Sequence, residues 1–255
     1  MDMKKIVVEQ NGPVRTIWMN RPEKRNALDA EMLEEMTAVM RADVAPEDRV
    51  VMIRGKGPAF CSGLDMAQRR QSMGTGNASG IEHMLRAIEL CPLPVVAVVQ
   101  GDAIAGGNEL ALHCDLVVAG EAARFGMSLA QVGLAPNWFL SKKLMEVLGP
   151  VTTREMLLLG DPLPATRLYA LGLIARCVPM DQLETEADKI VARLAANAPL
   201  SLKAMKATTV RQMEFRDSIP HGDIDALVQA AIKSEDASEG MLARLRKRTA
   251  KFTGR

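Results

Sequence analysis

Aromatic side chains are scarce in this chain: five Phe, two Trp and one Tyr among 255 residues. Base-stacking surfaces are built from aromatics, so no nucleic-acid partner is expected. An excess of one charge is missing too. Lys and Arg number 32 against 31 Asp and Glu, a formal net charge of +1, which gives no bulk pull toward nucleic acid or an anionic membrane. No apolar run approaches the ~20 residues of a membrane span, and Met1-Asp-Met-Lys-Lys-Ile lacks the apolar stretch of a secretory leader. Cys61, Cys91, Cys114 and Cys177 stand far apart with no C-x-x-C spacing, which disfavours a zinc site or a disulfide framework. A cytoplasmic, reduced protein with no membrane association is the expectation. Three catalytic frameworks are absent as well. There is no G-x-G-x-x-G for a dinucleotide and no G-x-S-x-G nucleophile elbow. Gly101 and Gly106 have phosphate-loop spacing, but Gly107 and Asn108 follow where that loop requires Lys and Ser or Thr.

What the chain does have is an alternation of short apolar runs and helical stripes, which argues for an α/β arrangement with parallel strands. Val14–Met19, Val50–Ile53, Val95–Val99 and Leu116–Ala119 read as strands. Asp29 suits an N-cap, and Met32, Leu33, Met36, Val39 and Met40 form a stripe behind it. Ile81–Leu90 reads as a helix. Gln71–Gly80 is poor in apolar residues and reads as a mobile loop. From about Val151 the pattern is mostly helical, with Gly160 and Gly172 suited to helix ends. Asn197-Ala-Pro199 reads as a hinge, dividing a core over 1–197 from a terminal helical region over 198–255. Helices are expected there over Ser201–Phe215 and from Ile224 to the C-terminus. Methionine is abundant, at 17 residues, either as core filler or as an adaptable apolar pocket.

Two loops carry chemistry. Gly101-Asp-Ala-Ile-Ala-Gly-Gly-Asn-Glu-Leu-Ala-Leu-His-Cys-Asp115 leaves a buried strand and opens a helix. The first N–H groups of a helix have no internal acceptor, and Glu109 falls in that first turn. Ala59-Phe-Cys-Ser-Gly-Leu-Asp-Met66 also leaves a strand and places Gly63 before a helix start. Two such loops aiming one N–H each at a single oxygen would stabilise an enolate, each donor contributing about 3 kcal/mol. Glycines that merely permit close packing remain the alternative. Glu109 suits general acid–base work if burial tunes it, or else is a solvated glutamate favoured by the helix dipole. His113 reads as a packed or surface histidine, and Ser62 has no nucleophile context.

Together with Asn20-Arg-Pro-Glu-Lys-Arg-Asn-Ala-Leu28, Phe125-Gly126, Gly160-Asp-Pro-Leu-Pro-Ala165 and Lys247-Arg248, these loops resemble the crotonase (enoyl-CoA hydratase/isomerase) superfamily over nearly the whole chain. The resemblance implies an α/β fold: a repeated ββα spiral core with a helical C-terminal region that serves trimerisation. It implies a homo-oligomer, a trimer or a dimer of trimers, acting on an acyl-CoA thioester. The backbone amides of Leu64 and Gly106 would form the oxyanion hole and Glu109 would be the acid–base group. Lys24, Arg25 and Ala27 match the loop along coenzyme A. Lys247 and Phe252 match residues that approach its nucleotide end, sometimes from a neighbouring subunit, although a basic tail is equally a solvated helix face. No metal or cofactor is implied beyond the coenzyme A of the substrate itself.

The chain departs from the family at three places. Ala105 stands where a third glycine is usual. Leu129 occupies the position of the second hydratase glutamate, after Phe125-Gly126, and an alkyl group there neither holds nor deprotonates water. Leu134–Leu140 replaces a glycine-rich run and puts Asn137 and Trp138 at the acyl pocket beside Leu129, with Trp138 a pocket wall or a core residue. An amide at 137 cannot form the aryl ester that dehalogenation needs. An enoyl-CoA hydratase-type lyase with one glutamate is the first expectation. A double-bond isomerase comes next, and a catalytically weak acyl-CoA binder or scaffold is the third.

Overall fold

A computed structural model of the chain describes residues 3–71 and 79–255, so most of the expected Gln71–Gly80 loop lies outside the described residues. The strands are β1 (Ile6–Asn11), β2 (Val14–Met19), β3 (Val50–Gly55), β4 (Val95–Val99), β5 (Ala103–Ile104), β6 (Leu116–Gly120), β7 (Arg124–Gly126), β8 (Leu163–Pro164) and β9 (Arg176–Val178). The helices are α1 (Ala30–Arg41), α2 (Met66–Gln71), α3 (Ser79–Leu90), α4 (Gly106–His113), α5 (Trp138–Leu158), α6 (Ala165–Ala170), α7 (Leu183–Ala195), α8 (Pro199–Met213), α9 (Gly222–Lys233) and α10 (Glu235–Leu245).

Six strands form one sheet in the order β1-β2-β3-β4-β6-β9, and β5-β7-β8 form a second. Every pairing in the large sheet is parallel except the β1–β2 hairpin. Central β4, Val-Val-Ala-Val-Val, is buried along its whole length, as a strand covered on both faces must be. The Asp29 carboxylate accepts the Met32 amide at 2.9 Å and starts α1. All five residues of the stripe behind it are buried, each worth roughly 1.5–3 kcal/mol when fully buried. Methionine serves mainly as core: Met19, Met32, Met36, Met84, Met156 and Met241 are wholly inaccessible.

Gly160 and Gly172 end helices with φ of 75° and 72°, as expected. The C-terminal helix expected from Ile224 onward is instead two. Ser234 adopts an extended conformation and its hydroxyl accepts the Ala237 amide at 3.0 Å, capping α10 and ending α9. Beyond Leu245 the chain is not helical. It folds back on α10 through Arg248 to Glu239 and through the Thr253 and Gly254 amides to Asp236. α10 buries Ala237 and Met241 against Val132 and Leu134, whereas α8 has no buried residue. No helix among the described residues is long and apolar enough to cross a membrane.

Candidate active site

Three loops converge where β3 and β4 end. Parallel bridges join Leu28 to Leu64 and Cys61 to Ala103. The Leu28 amide donates to the Gly63 carbonyl at 2.8 Å, and the Ile104 amide donates to the Cys61 carbonyl at 2.9 Å. The backbones touch: a Cβ placed on Gly63, whose φ is +89°, would lie 3.1 Å from the Gly106 nitrogen, so only glycine fits. Among the described residues neither the Leu64 nor the Gly106 amide has a hydrogen-bond acceptor. Gly106 is the first residue of α4, so its free N–H also carries the positive end of the helix dipole. Ala105 is held at φ 50°, ψ −114°, a region costly for any residue with a Cβ. It is pinned by its amide to the Gly126 carbonyl at 2.7 Å and by its carbonyl to the Glu109 amide at 3.0 Å. The two free donors thus lie on loops that contact one another, an arrangement that can hold one oxyanion.

Glu109 lies on the first turns of α4 with no accessible surface, and neither carboxyl oxygen has a hydrogen-bond partner. Burial pushes its pKa well above the ordinary carboxylate range, and the nearby Lys143 ammonium only partly offsets this. Burial thus favours the protonated form of Glu109. Lys143 is itself neutralised by Glu89 at 2.5 Å and Glu146 at 3.2 Å. One turn on, His113 is wholly buried, bonds through Nδ1 to the Glu109 carbonyl at 2.8 Å and stacks on Phe139 with ring centroids 5.3 Å apart. Its Nδ1 is also 3.6 Å from the Glu109 carboxyl, and burial disfavours the charged form of both groups. Burial drives its pKa down to about 3.

That depression has a stability consequence. The unfolded histidine takes a proton near pH 6.5, the folded one only near pH 3, so stability is lost as pH falls through this window. His113→Phe, which keeps the ring packing, is expected to retain on the order of 3 kcal/mol more stability than wild type between about pH 7 and about pH 4. Urea denaturation at the two pH values measures it, and parallel loss in both proteins would refute it.

The loop before α1 is built around Asn26, which no helical stripe or strand alternation marks in the sequence. Arg25 and Asn26 adopt left-handed backbone, with φ of 51° and 54°. Asn26 is wholly buried. Its Nδ2 donates to the carbonyls of Lys56, Ala59 and Phe60 at 2.9–3.1 Å, and its Oδ1 accepts the Arg21 amide at 3.0 Å. Asparagine's tolerance of left-handed backbone was the available signal. Arg21 bridges Asp29 at 3.2 Å and Asp65 at 3.1 Å, tying this loop to the Gly63 loop. Ala27 is buried, while Lys24 and Arg25 are exposed beside Ser62, whose amide donates to the Arg25 carbonyl at 3.0 Å.

Each of the other candidates has its own partners. Leu129 is half-buried and packs on both the main core and the cluster around Val132 and Met241. Asn137 caps α5 by accepting the Leu140 amide at 3.0 Å, and its Nδ2 donates to Glu82 on α3. Trp138 turns to the C-terminal region: its indole stacks on His221 at 4.6 Å and donates to the Arg216 carbonyl at 3.1 Å. Lys247 and Phe252 lie on the exposed tail, and among the described residues no hydrogen bond or ion pair joins them to Lys24 or Arg25.

The profile of the family described as Enoyl-CoA hydratase/isomerase matches residues 9–255. The chain is 34% identical to "Enoyl-CoA hydratase EchA19" of Mycobacterium tuberculosis, covering 98% of this chain and 96% of that one. It is 30% identical to "Crotonyl-CoA hydratase" of Syntrophomonas wolfei, covering 99% of each. Among solved structures, an enoyl-CoA hydratase from Mycobacterium avium subsp. paratuberculosis superposes with a TM-score of 0.85 at 31% identity, covering 98% of this chain and 99% of that one. A methylmalonyl CoA decarboxylase superposes at 0.91 over the full length of both chains, but at 23% identity it speaks for the fold alone.

Proposed function

The chain belongs to the enoyl-CoA hydratase/isomerase family, and we propose that it is an enoyl-CoA hydratase-type lyase using the Leu64 and Gly106 amides as oxyanion hole and Glu109 as its single glutamate. The relatives described above are named as hydratases, which favours water addition over double-bond isomerisation or mere binding. The observation that carries the mechanism is the pairing of a free amide at Gly106 with a buried, unpartnered carboxyl three residues on.

The thioester oxygen sits between the two amides. As the water oxygen bonds to Cβ, the π electrons move to Cα and onto that oxygen, and each amide N–H stabilises the charge by about 3 kcal/mol. The neutral Glu109 carboxyl gives its proton to Cα through one oxygen while its other oxygen takes a proton from the water. The carboxyl ends neutral, with its proton on the opposite oxygen, and one water has been added. No net oxidation or reduction occurs, so the step calls for no redox cofactor. Burial of Glu109 maintains the protonated form this relay requires.

Lys24, Arg25 and Ala27 are assigned to the coenzyme A strand, joined by Lys247 and Phe252, and Leu129, Asn137 and Trp138 to the acyl side. A trimer or dimer of trimers is assigned to the region over 198–255. Leu200, Met205 and Leu227 are each more than 60% exposed on α8 and α9, an apolar surface that suits subunit contact. A cytoplasmic location fits the four free cysteines. Incubation with crotonyl-CoA is expected to remove the 2-enoyl absorbance. Silence there, with new 2-enoyl absorbance from a 3-enoyl-CoA, would replace hydration by isomerisation.

A further inference from the structure

Hydration leaves one task without an owner. Water must be held at Cβ, and Leu129, where the family places a second carboxylate, has no polar atom to hold it. Two chains of contact lead from α4, the helix that carries Glu109, to another polar pair. Along the first, a Cβ on Gly106 would lie 2.8 Å from Cδ1 of Ile81, and Ile81 precedes Glu82 in the first turn of α3. Along the second, His113 stacks on Phe139, two residues beyond Asn137. The routes meet, because Asn137 Nδ2 donates to Glu82 Oε1.

The pair is built for more than packing. Both side chains are half-buried beside Ile81 and Phe139, which are buried. Asn137 cannot swing away, since its Oδ1 is committed to the Leu140 amide at 3.0 Å. The amide therefore fixes Glu82 by one oxygen, and the second oxygen, Oε2, has no donor among the described residues. A half-buried carboxyl with one oxygen free of protein donors can accept an O–H.

We infer that Glu82, oriented by Asn137, is the residue that holds the attacking water in place of a carboxylate at position 129. It rests on the hydratase assignment above. The water donates one hydrogen to Glu82 Oε2 and keeps it, as the hydroxyl hydrogen of the product. Its other hydrogen passes to Glu109, while its oxygen bonds to Cβ. Glu82 gains no proton, so Glu109 remains the sole relay.

The test separates holding water from moving protons. Glu82→Gln is expected to lower kcat for crotonyl-CoA hydration by about 10²-fold with KM little changed. Exchange of deuterium into the α-position of butyryl-CoA, in which the anionic form of Glu109 takes the α-proton while the two amides hold the enolate oxygen and then returns a solvent deuteron, needs no water at Cβ and is expected to continue in this variant. Asn137→Ala is expected to lower kcat for hydration to a smaller extent, with exchange again continuing. An active wild type whose Glu82→Gln and Glu82→Ala variants hydrate at full rate overturns the inference. So does a loss of hydration and exchange together, which marks Glu82 as structural. A wild type inert toward crotonyl-CoA fails at the earlier step and removes the hydratase assignment itself.

Discussion

Glu109→Gln is expected to lower kcat for hydration by about 10²–10⁴-fold, with KM little altered. Gln keeps the size and shape of the buried side chain but cannot pass a proton from one oxygen to the other. Binding, in the proposed mechanism, rests on the Lys24–Ala27 loop and the two amides, which the change leaves in place. Stability is expected to move the other way. The folded Glu109 stays protonated above its ordinary value of 4.5, because burial penalises the anion, while the unfolded side chain ionises there. Between these two points the folded state binds the extra proton, so wild-type stability falls as pH rises through the window. Gln does not titrate, and the variant is expected to be at least as stable as wild type near neutral pH. Activity carried by the neutral carboxyl likewise declines as pH rises through the raised folded pKa. Steady-state kinetics and urea denaturation over pH measure both arms. Full turnover by the variant would remove Glu109 from the mechanism, and a matching collapse in stability would reduce it to a packing residue.

Gly107→Ala is expected to cost about 10²–10³ in kcat by a different route. A Cβ at this position would lie 2.2 Å from the Cys61 carbonyl oxygen. That oxygen cannot retreat freely, because it accepts the Ile104 amide at 2.9 Å. The Cys61–Leu64 loop must then shift away from the start of α4, which separates the amides of Leu64 and Gly106. The accompanying destabilisation is expected to be about 1–3 kcal/mol, typical of overpacking. Gly222→Ala serves as the control: nothing lies within 4 Å of its added methyl, and it stands at the start of α9. It is expected to be neutral, or to stabilise by up to about 1 kcal/mol, with full activity. Equal activity in the two variants would contradict the convergent-amide geometry.

The local signals in the sequence were clear wherever one face or one cap decided the structure. Val14–Met19 and Val95–Val99 are strands with the expected bounds, and the α1 stripe is buried behind the cap at Asp29. The edge strand β1 escaped notice because most of Ile6–Asn11 is exposed and its polar residues show no core-facing alternation. Ser234 was hidden for a local reason: its hydroxyl competes with helix propagation, which an apolar stripe does not register. The chemistry-bearing loops were legible as motifs, but the burial of Glu109 was not, since a glutamate in a first helical turn suits solvent equally well. Trp138 meets Arg216 across 78 residues and Asn137 meets Glu82 across 55. No periodicity or cap encodes contacts at that separation. They appear only when α3, α5 and the segment after α8 are packed together.

The claim on which the mechanism stands is that two amides from different loops hold one thioester oxygen beside Glu109. The structure of the protein bound to a slowly reacting acyl-CoA ester measures it directly. The thioester oxygen is expected at about 2.7–3.1 Å from both the Leu64 and Gly106 nitrogens, with its Cα facing the Glu109 carboxyl. An oxygen that meets neither amide, or a thioester bound away from the Gly63–Gly106 contact, would contradict it.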